Sequence, residues 1–176
     1  MVKDGFGFFE KTTPIEPIEP TEATLTLREN VELMTVDTAQ GWINEHTRET
    51  NTTATALHEN IAALLNFNNQ TEQLDRYHEI EFGTGTNPSE AGCSEPVGRI
   101  VITDPSNEGE TFYMREYADE YEVNPAPRAD NTVPELSEMA TYSANGDVYN
   151  YLTLDNTIKK TSDYVLIVNV SLKVGG

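Results

Sequence analysis

Three histidines, one cysteine and thirty carboxylates are the raw material for catalysis in this chain of 176 residues, and their spacing assembles no familiar reaction centre. A zinc hydrolase helix places two histidines four residues apart beside a glutamate, but His58-Glu59 has no second histidine, and His46 and His78 stand far from it in sequence. The lone Cys93 rules out an intrachain disulfide and a four-cysteine zinc site. Gly83-Thr84-Gly85-Thr86 has the outline of a phosphate loop, yet no Gly-Lys-Ser/Thr follows and Pro88 stands where a helix would begin. The third glycine of a dinucleotide fingerprint is missing too, so the segment reads as a turn. Asp119-Glu120-Glu122 gathers carboxylates without the spacing or turn glycine of a calcium loop, and reads as solvated surface. The expectation is a protein with no catalytic centre, no metal and no cofactor.

Acidic residues outnumber basic ones 30 to 11, giving a formal charge of -19 and a pI near 4.3. Binding to a phosphate backbone needs clustered Lys and Arg, so nucleic acid is not an expected partner. Self-repulsion at this charge opposes compaction in dilute buffer and is screened at molar salt, which fits a halophilic source. Strand-like runs and tyrosines argue for a folded chain rather than a disordered acidic one. The first ten residues lack a basic stretch followed by a long apolar run, and no run of 18 apolar residues occurs. A soluble chain without membrane insertion or an evident secretion signal is expected. Asn51-Thr52-Thr53, Asn69-Gln70-Thr71 and Asn169-Val170-Ser171 match the glycan acceptor pattern, a weak motif in a chain rich in Asn and Thr.

Three segments are expected to carry these residues. Residues 1–36 form an extended arm: Phe6, Phe8 and Phe9 are spaced by glycines or adjacent, and Pro14-Ile15-Glu16-Pro17-Ile18-Glu19-Pro20 repeats proline every third position, which favours a polyproline-like conformation. Phe6, Phe8, Phe9, Ile15 and Ile18 are candidate anchors on a neighbouring subunit. Within the arm, residues 24–36 alternate weakly. Residues 37–76 read as a helical segment, with Asp37 as an N-cap, Trp42 and Ile43 in a first stretch, and Leu57, Ile61, Leu64 and Leu65 on one stripe; between them Thr47 to Thr55, rich in Thr and Asn, bends or breaks the segment, and Leu57, Ile61 and Leu64 are further docking candidates.

From residue 77 to 176 the period becomes two. Apolar residues alternate or interleave with polar ones over 77–82, 97–103, 111–123, 136–142, 148–154 and 164–174, and Asn145-Gly146-Asp147 marks a turn. In the last run Tyr164, Leu166, Val168, Val170, Leu172 and Val174 share one face, a core face. The fold class is therefore mainly β, an antiparallel β-sandwich or barrel preceded by the arm and one or two helices.

Four short stretches of this β-region resemble a recurring domain of tail and fibre-like structural proteins in tailed viruses of bacteria and haloarchaea. They are Phe82-Gly83-Thr84-Gly85-Thr86-Asn87-Pro88, Glu95-Pro96-Val97-Gly98-Arg99, Leu136-Ser137-Glu138-Met139-Ala140-Thr141-Tyr142 and Lys160-Thr161 before the closing strand. The third departs from the family, which has Gly-Leu-Phe where this chain has Met139-Ala140-Thr141-Tyr142. Physically, the glycines suit a turn, Glu138 and Arg99 could form a buried pair, and Lys160 could sit at a turn before an edge strand.

The resemblance implies a non-enzymatic virion component, assembled in a host cytoplasm as a trimer or larger ring with other virion proteins, in a tail or baseplate or as a fibre attachment. A capsid turret or decoration protein is the neighbouring alternative. From another class comes a carbohydrate-binding module reading a host surface glycan, with Trp42 or tyrosines 113, 117, 121, 142, 149 and 151 as stacking platforms.

Overall fold

The computed structural model describes residues 27–50, 52–65, 76–103, 105–108 and 111–174. The expected anchors Phe6, Phe8, Phe9, Ile15 and Ile18 lie outside these residues. Among the described residues ten strands and one helix follow in order: β1 (Leu27–Asp37), β2 (Ile43–Thr50), β3 (Thr52–Thr53), α1 (Thr55–Leu65), β4 (Tyr77–Gly83), β5 (Pro96–Val101), β6 (Ser106–Glu108), β7 (Thr111–Ala118), β8 (Leu136–Ser143), β9 (Val148–Ile158) and β10 (Tyr164–Val174).

They form two five-stranded sheets, a front sheet in the order β2-β1-β10-β7-β6 and a back sheet in the order β3-β9-β8-β4-β5. The pairings between strands are all antiparallel, and one hydrophobic core lies between the sheets, so the mainly β sandwich expected from the period-two pattern is what the chain adopts. Leu166, Val168, Val170 and Leu172 of β10 face inward with Val31 and Leu33 of β1 and Met114 of β7, against Ile80, Phe82, Met139, Leu152 and Leu154 of the back sheet. Burying such a set, at about 25 cal/mol per Å² of apolar surface, is the main term holding the layers together.

Two boundaries differ from the sequence reading. Residues 27–37 belong to the sandwich and not to an arm, pairing along their whole length with β10 from Leu27↔Val174 to Asp37↔Tyr164. Residues 43–50 are a strand and not a helix: Thr47 and Glu49 point inward while His46 and Arg48 point out, an alternation of two hidden because the inward residues are polar. Asp37 caps a turn instead of a helix, its carboxylate accepting the amides of Ala39 at 2.9 Å and Gln40 at 2.8 Å. Among the described residues the helix is α1, where Leu57 is buried in the chain's own core and Ile61, partly buried, packs against it. The side chain of Leu64 lies outside the described residues. The closing strand β10 is central rather than an edge, flanked by β1 and β7.

Replacing the fully buried Leu166 by alanine is expected to cost about 3 kcal/mol, whereas Ile167→Ala on the outer face of the same strand costs about 1 kcal/mol. Urea unfolding measures both, and equal losses would contradict the assignment of faces.

Candidate functional site

Two places gather the residues singled out in the sequence. One is the loop between β4 and β5, residues 84–95, which folds over the outer face of the back sheet. Its support is the Glu138 carboxylate of β8: Oε1 accepts the amides of Gly85 at 3.2 Å and Glu95 at 2.7 Å, and Oε2 accepts the Ser94 hydroxyl at 2.9 Å. The neighbouring Ser137 hydroxyl donates to the Gly85 carbonyl at 2.6 Å. Thr84 closes the base of the loop through its amide to the Glu95 carbonyl at 3.0 Å, and Thr86 is exposed at the outer turn. Glycine is required because the loop backbone lies on the carboxylate: a Cβ on Gly85 would come within 2.1 Å of Ser94 Oγ and 2.7 Å of Glu138 Oε1.

A second carboxylate, Glu81 of β4, holds the far end of the loop. It accepts the Tyr142 hydroxyl at 2.7 Å, the Cys93 amide at 2.9 Å and Arg99 Nε at 2.9 Å. Burial raises the Glu81 carboxyl, but the bonds from Tyr142, Cys93 and Arg99 outweigh it and hold it below its ordinary range. Burial, and then the charges of Glu81 and Glu138, push the Cys93 thiol well up, which opposes thiolate formation. Gly92, at φ +98°, brings the chain so close to Tyr142 that a Cβ would meet the hydroxyl at 1.8 Å. Arg99 therefore pairs with Glu81 and, through Nη1 at 2.9 Å, with Glu79, while its guanidinium lies 3.8 Å from the Tyr142 ring centroid. The expected Arg99–Glu138 pair is corrected: Arg99 stands on β5 across β4 from β8, and Glu81 lies nearer in register.

The loop also reaches the helix. Glu90 accepts the Thr55 amide at 3.0 Å and its hydroxyl at 2.6 Å, holding the start of α1, and Ala54, Ala140, Tyr142 and Val148 form a small second core with Cys93 against it. The outer face of the back sheet is thus covered over β4 and β8, all eight residues of β8 being buried, while Arg99 and Val101 of β5 and Thr153 of β9 stay exposed.

Lys160 is buried and donates to the Asp119 carbonyl at 2.7 Å, to Asn124 Oδ1 at 2.7 Å and to the Thr161 carbonyl at 3.3 Å. Burial lowers its ammonium and outweighs the opposing charges of Asp119, Glu122 and Glu120. It clamps the segment 119–124, in which Val123 is held at φ 55°, a strained conformation for a β-branched residue, and Tyr121 projects 81% exposed. So Lys160 secures a loop between β7 and β8 and does not mark a sheet edge.

The other place is the outer face of the front sheet, which no described element covers. The register sets its cross-strand ranks. At one end Ile43, Val36 and Val165 stand side by side, followed by His46, Met34, Ile167 and Tyr117; next come Arg48, Glu32, Asn169 and Arg115, and then Thr50, Asn30, Ser171 and Tyr113. Trp42, 72% exposed, sits in the turn beside the apolar end. Glu32 accepts His46 Nε2 and Arg48 Nη2 at 2.8 Å and Asn169 Nδ2 at 2.9 Å; the bonds from Arg48 and then His46 lower its carboxyl to about 2. The two polar ranks line a groove of about 590 Å³.

Of the aromatic residues weighed for stacking, Trp42, Tyr113, Tyr117 and Tyr121 are exposed, Tyr142 and Tyr149 are buried, and Tyr151 is half-buried. His46, on β2, bonds Glu32, and His58, on α1, bonds Thr53 Oγ1 at 2.9 Å, while His78 lies on β4. Among the described residues no group of three or more His, Cys, Asp or Glu is placed to hold a metal ion. The motif Gly83, Thr84, Gly85 and Glu138 does converge, whereas Arg99 and Lys160 serve other contacts. Glu81 escaped the sequence reading because, between Ile80 and Phe82, its position reads as the solvent side of a half-buried strand, whereas it is buried; the signal was the Gly-x-Gly following it, which lets a loop fold back over that face. Compared with family models, curated proteins and solved structures, the chain has no significant match.

Glu138→Ala leaves three donors without an acceptor and is expected to cost about 3 kcal/mol, against about 1 kcal/mol for Ser94→Ala. Limited proteolysis should then cut within residues 84–95 before elsewhere. A depressed carboxyl contributes stability above its unfolded pKa and loses it as pH falls through the folded one. With Glu32 going from 4.5 to about 2, the melting temperature should fall as pH drops from 4.5 toward 2, and Glu32→Gln should flatten that acid limb in calorimetry.

Proposed function

We propose that this chain is a non-enzymatic structural subunit of a tailed virus particle of a halophilic host, acting in the tail or baseplate or at a fibre attachment and assembling there as a symmetric homo-oligomer. The observation that carries the reading is the asymmetry of the sandwich: in the back sheet a loop of the chain covers the outer face of β4 and β8, while the front sheet leaves Trp42, Ile43, Met34, Ile167 and Tyr117 at its surface. A contiguous apolar patch rimmed by charges is the usual form of an assembly interface. The polar interior supports the same reading, because the carboxylates of Glu49, Glu81, Glu116 and Glu138 are engaged by main-chain amides of their own chain and not directed into a cleft. The resemblance of the Gly83–Glu138 motif to tail and fibre-like proteins favours a tail over a capsid turret or decoration position.

A second reading, recognition of a host surface glycan, draws support from Tyr113 beside the polar groove and from Tyr117, both exposed on one strand.

Particles dissociated into tails and capsids test the placement: the chain should sediment with tails, and recovery only with capsids would move it to the shell. Light scattering at 2 M salt should give a mass of three or more chains. A monomer that binds no purified virion component would overturn the reading.

A further inference from the structure

The outer face of the front sheet is basic in a chain whose net charge is -19. Arg28, Arg48, Arg115 and Lys173, four of the eleven Lys and Arg residues, occupy it, against two carboxylates in the same ranks, Glu32 and, at the β6 edge, Glu108. Its relief follows from the register. The rank Thr50, Asn30 and Ser171 is made of short side chains, reaches Tyr113 on β7 and continues to Ser106 on β6. Longer side chains stand on both sides of it, Arg48 and Arg115 on one and Arg28 and Lys173 on the other. The result is a trench crossing four strands, about 14 Å from Arg48 to Arg115 at the usual strand spacing.

The same chain carries a segment of complementary chemistry. Pro14-Ile15-Glu16-Pro17-Ile18-Glu19-Pro20 places proline and glutamate each at every third position, and Glu22 continues the acidic series. In a polyproline helix, with three residues per turn and about 3.1 Å rise, glutamates three apart line one side at intervals of about 9 Å. Such a helix binds grooves walled by aromatic rings, because its conformation costs little entropy to fix. Tyr113 supplies the ring and the arginines and Lys173 supply the charge.

We propose that this trench receives the acidic proline-spaced segment, residues 14–20, of a second copy of this chain. The inference rests on the assembly reading above and names one contact within it. The assembly reading assigns the contact to a neighbour. Six residues, 21–26, link the segment to Leu27, which stands beside Arg28 and Lys173, and at polyproline rise they reach about 19 Å.

Charge reversal with cross-complementation tests this on the full chain, in buffer of 0.15 M salt where circular dichroism shows every variant folded. Arg115→Glu/Lys173→Glu reverses the trench without touching the Glu32 network, and Glu16→Lys/Glu19→Lys reverses the arm. Each is expected to weaken self-association at least tenfold in sedimentation velocity, as is the uncharged change Tyr113→Ala. A one-to-one mixture of the two reversed chains should restore association, because each then meets an opposite partner. Restoration only when both reversals are in one chain would place the arm on its own trench and overturn the proposal. Wild-type association unmoved by either reversal would overturn it while leaving assembly intact, as would a wild-type chain monomeric at 0.15 M salt but oligomeric at 2 M; a chain monomeric at both removes both readings. Binding of polygalacturonate lost on trench reversal, with self-association unchanged, would assign the surface to an acidic glycan instead.

Discussion

A carboxylate buried in a β-sandwich must be given hydrogen-bond donors, and this chain supplies them from its own loops. Glu138 takes the amides of Gly85 and Glu95, Glu81 that of Cys93, Glu116 that of Thr103 and Glu49 that of Asp155. Each bond is charge-assisted and stronger than its neutral counterpart, while an unmet buried charge costs several kcal/mol. Loop and carboxylate are therefore mutually dependent: the loop keeps the carboxylate from being stranded, and the carboxylate keeps the loop from lifting away.

That dependence decides which surfaces remain open. Because residues 84–95 lie across Glu81 and Glu138 and reach Glu90 toward Thr55, the β4 and β8 part of the back sheet's outer face becomes interior and gains a second small core around Tyr142. The front sheet has no counterpart to this loop among the described residues, so its outer face keeps an apolar end near Trp42 and a basic trench near Arg115. An acidic chain has thereby drawn several of its carboxylates inward and set four of its eleven cations on one face. A positive face on a strongly negative body orients association and disfavours random contacts between like-charged surfaces.

Strands were legible where one face was apolar. In β10, Leu166, Val168, Val170 and Leu172 alternate with residues of the open face, and that alternation both located the strand and oriented it. The glycines at 83 and 85 were read as a turn, whereas Gly83 ends β4 and Gly85 lies in the loop that follows it. In β2 the inward residues are Thr47 and Glu49, which carry no hydrophobic period, and the strand was read as helix. Leu57 and Ile61 showed a helix, but the stripe by itself could not say whether it faces its own core or a neighbour.

The sequence by itself determined that the chain is mainly β, because a period of two in apolar residues is buried by strands, while the choice of a sandwich over a barrel came with the pairing into two sheets. It also determined the core face of the closing strand. Only the tertiary structure decided that Arg99 pairs with Glu81 and not Glu138, that Lys160 clamps residues 119–124, and that β1 joins the front sheet beside β10. These depend on which strands become neighbours and which loop closes over which face. Local residue preferences are silent on both, since a glutamate on a strand has the same sequence signal whether water or a folded-back amide meets its carboxylate.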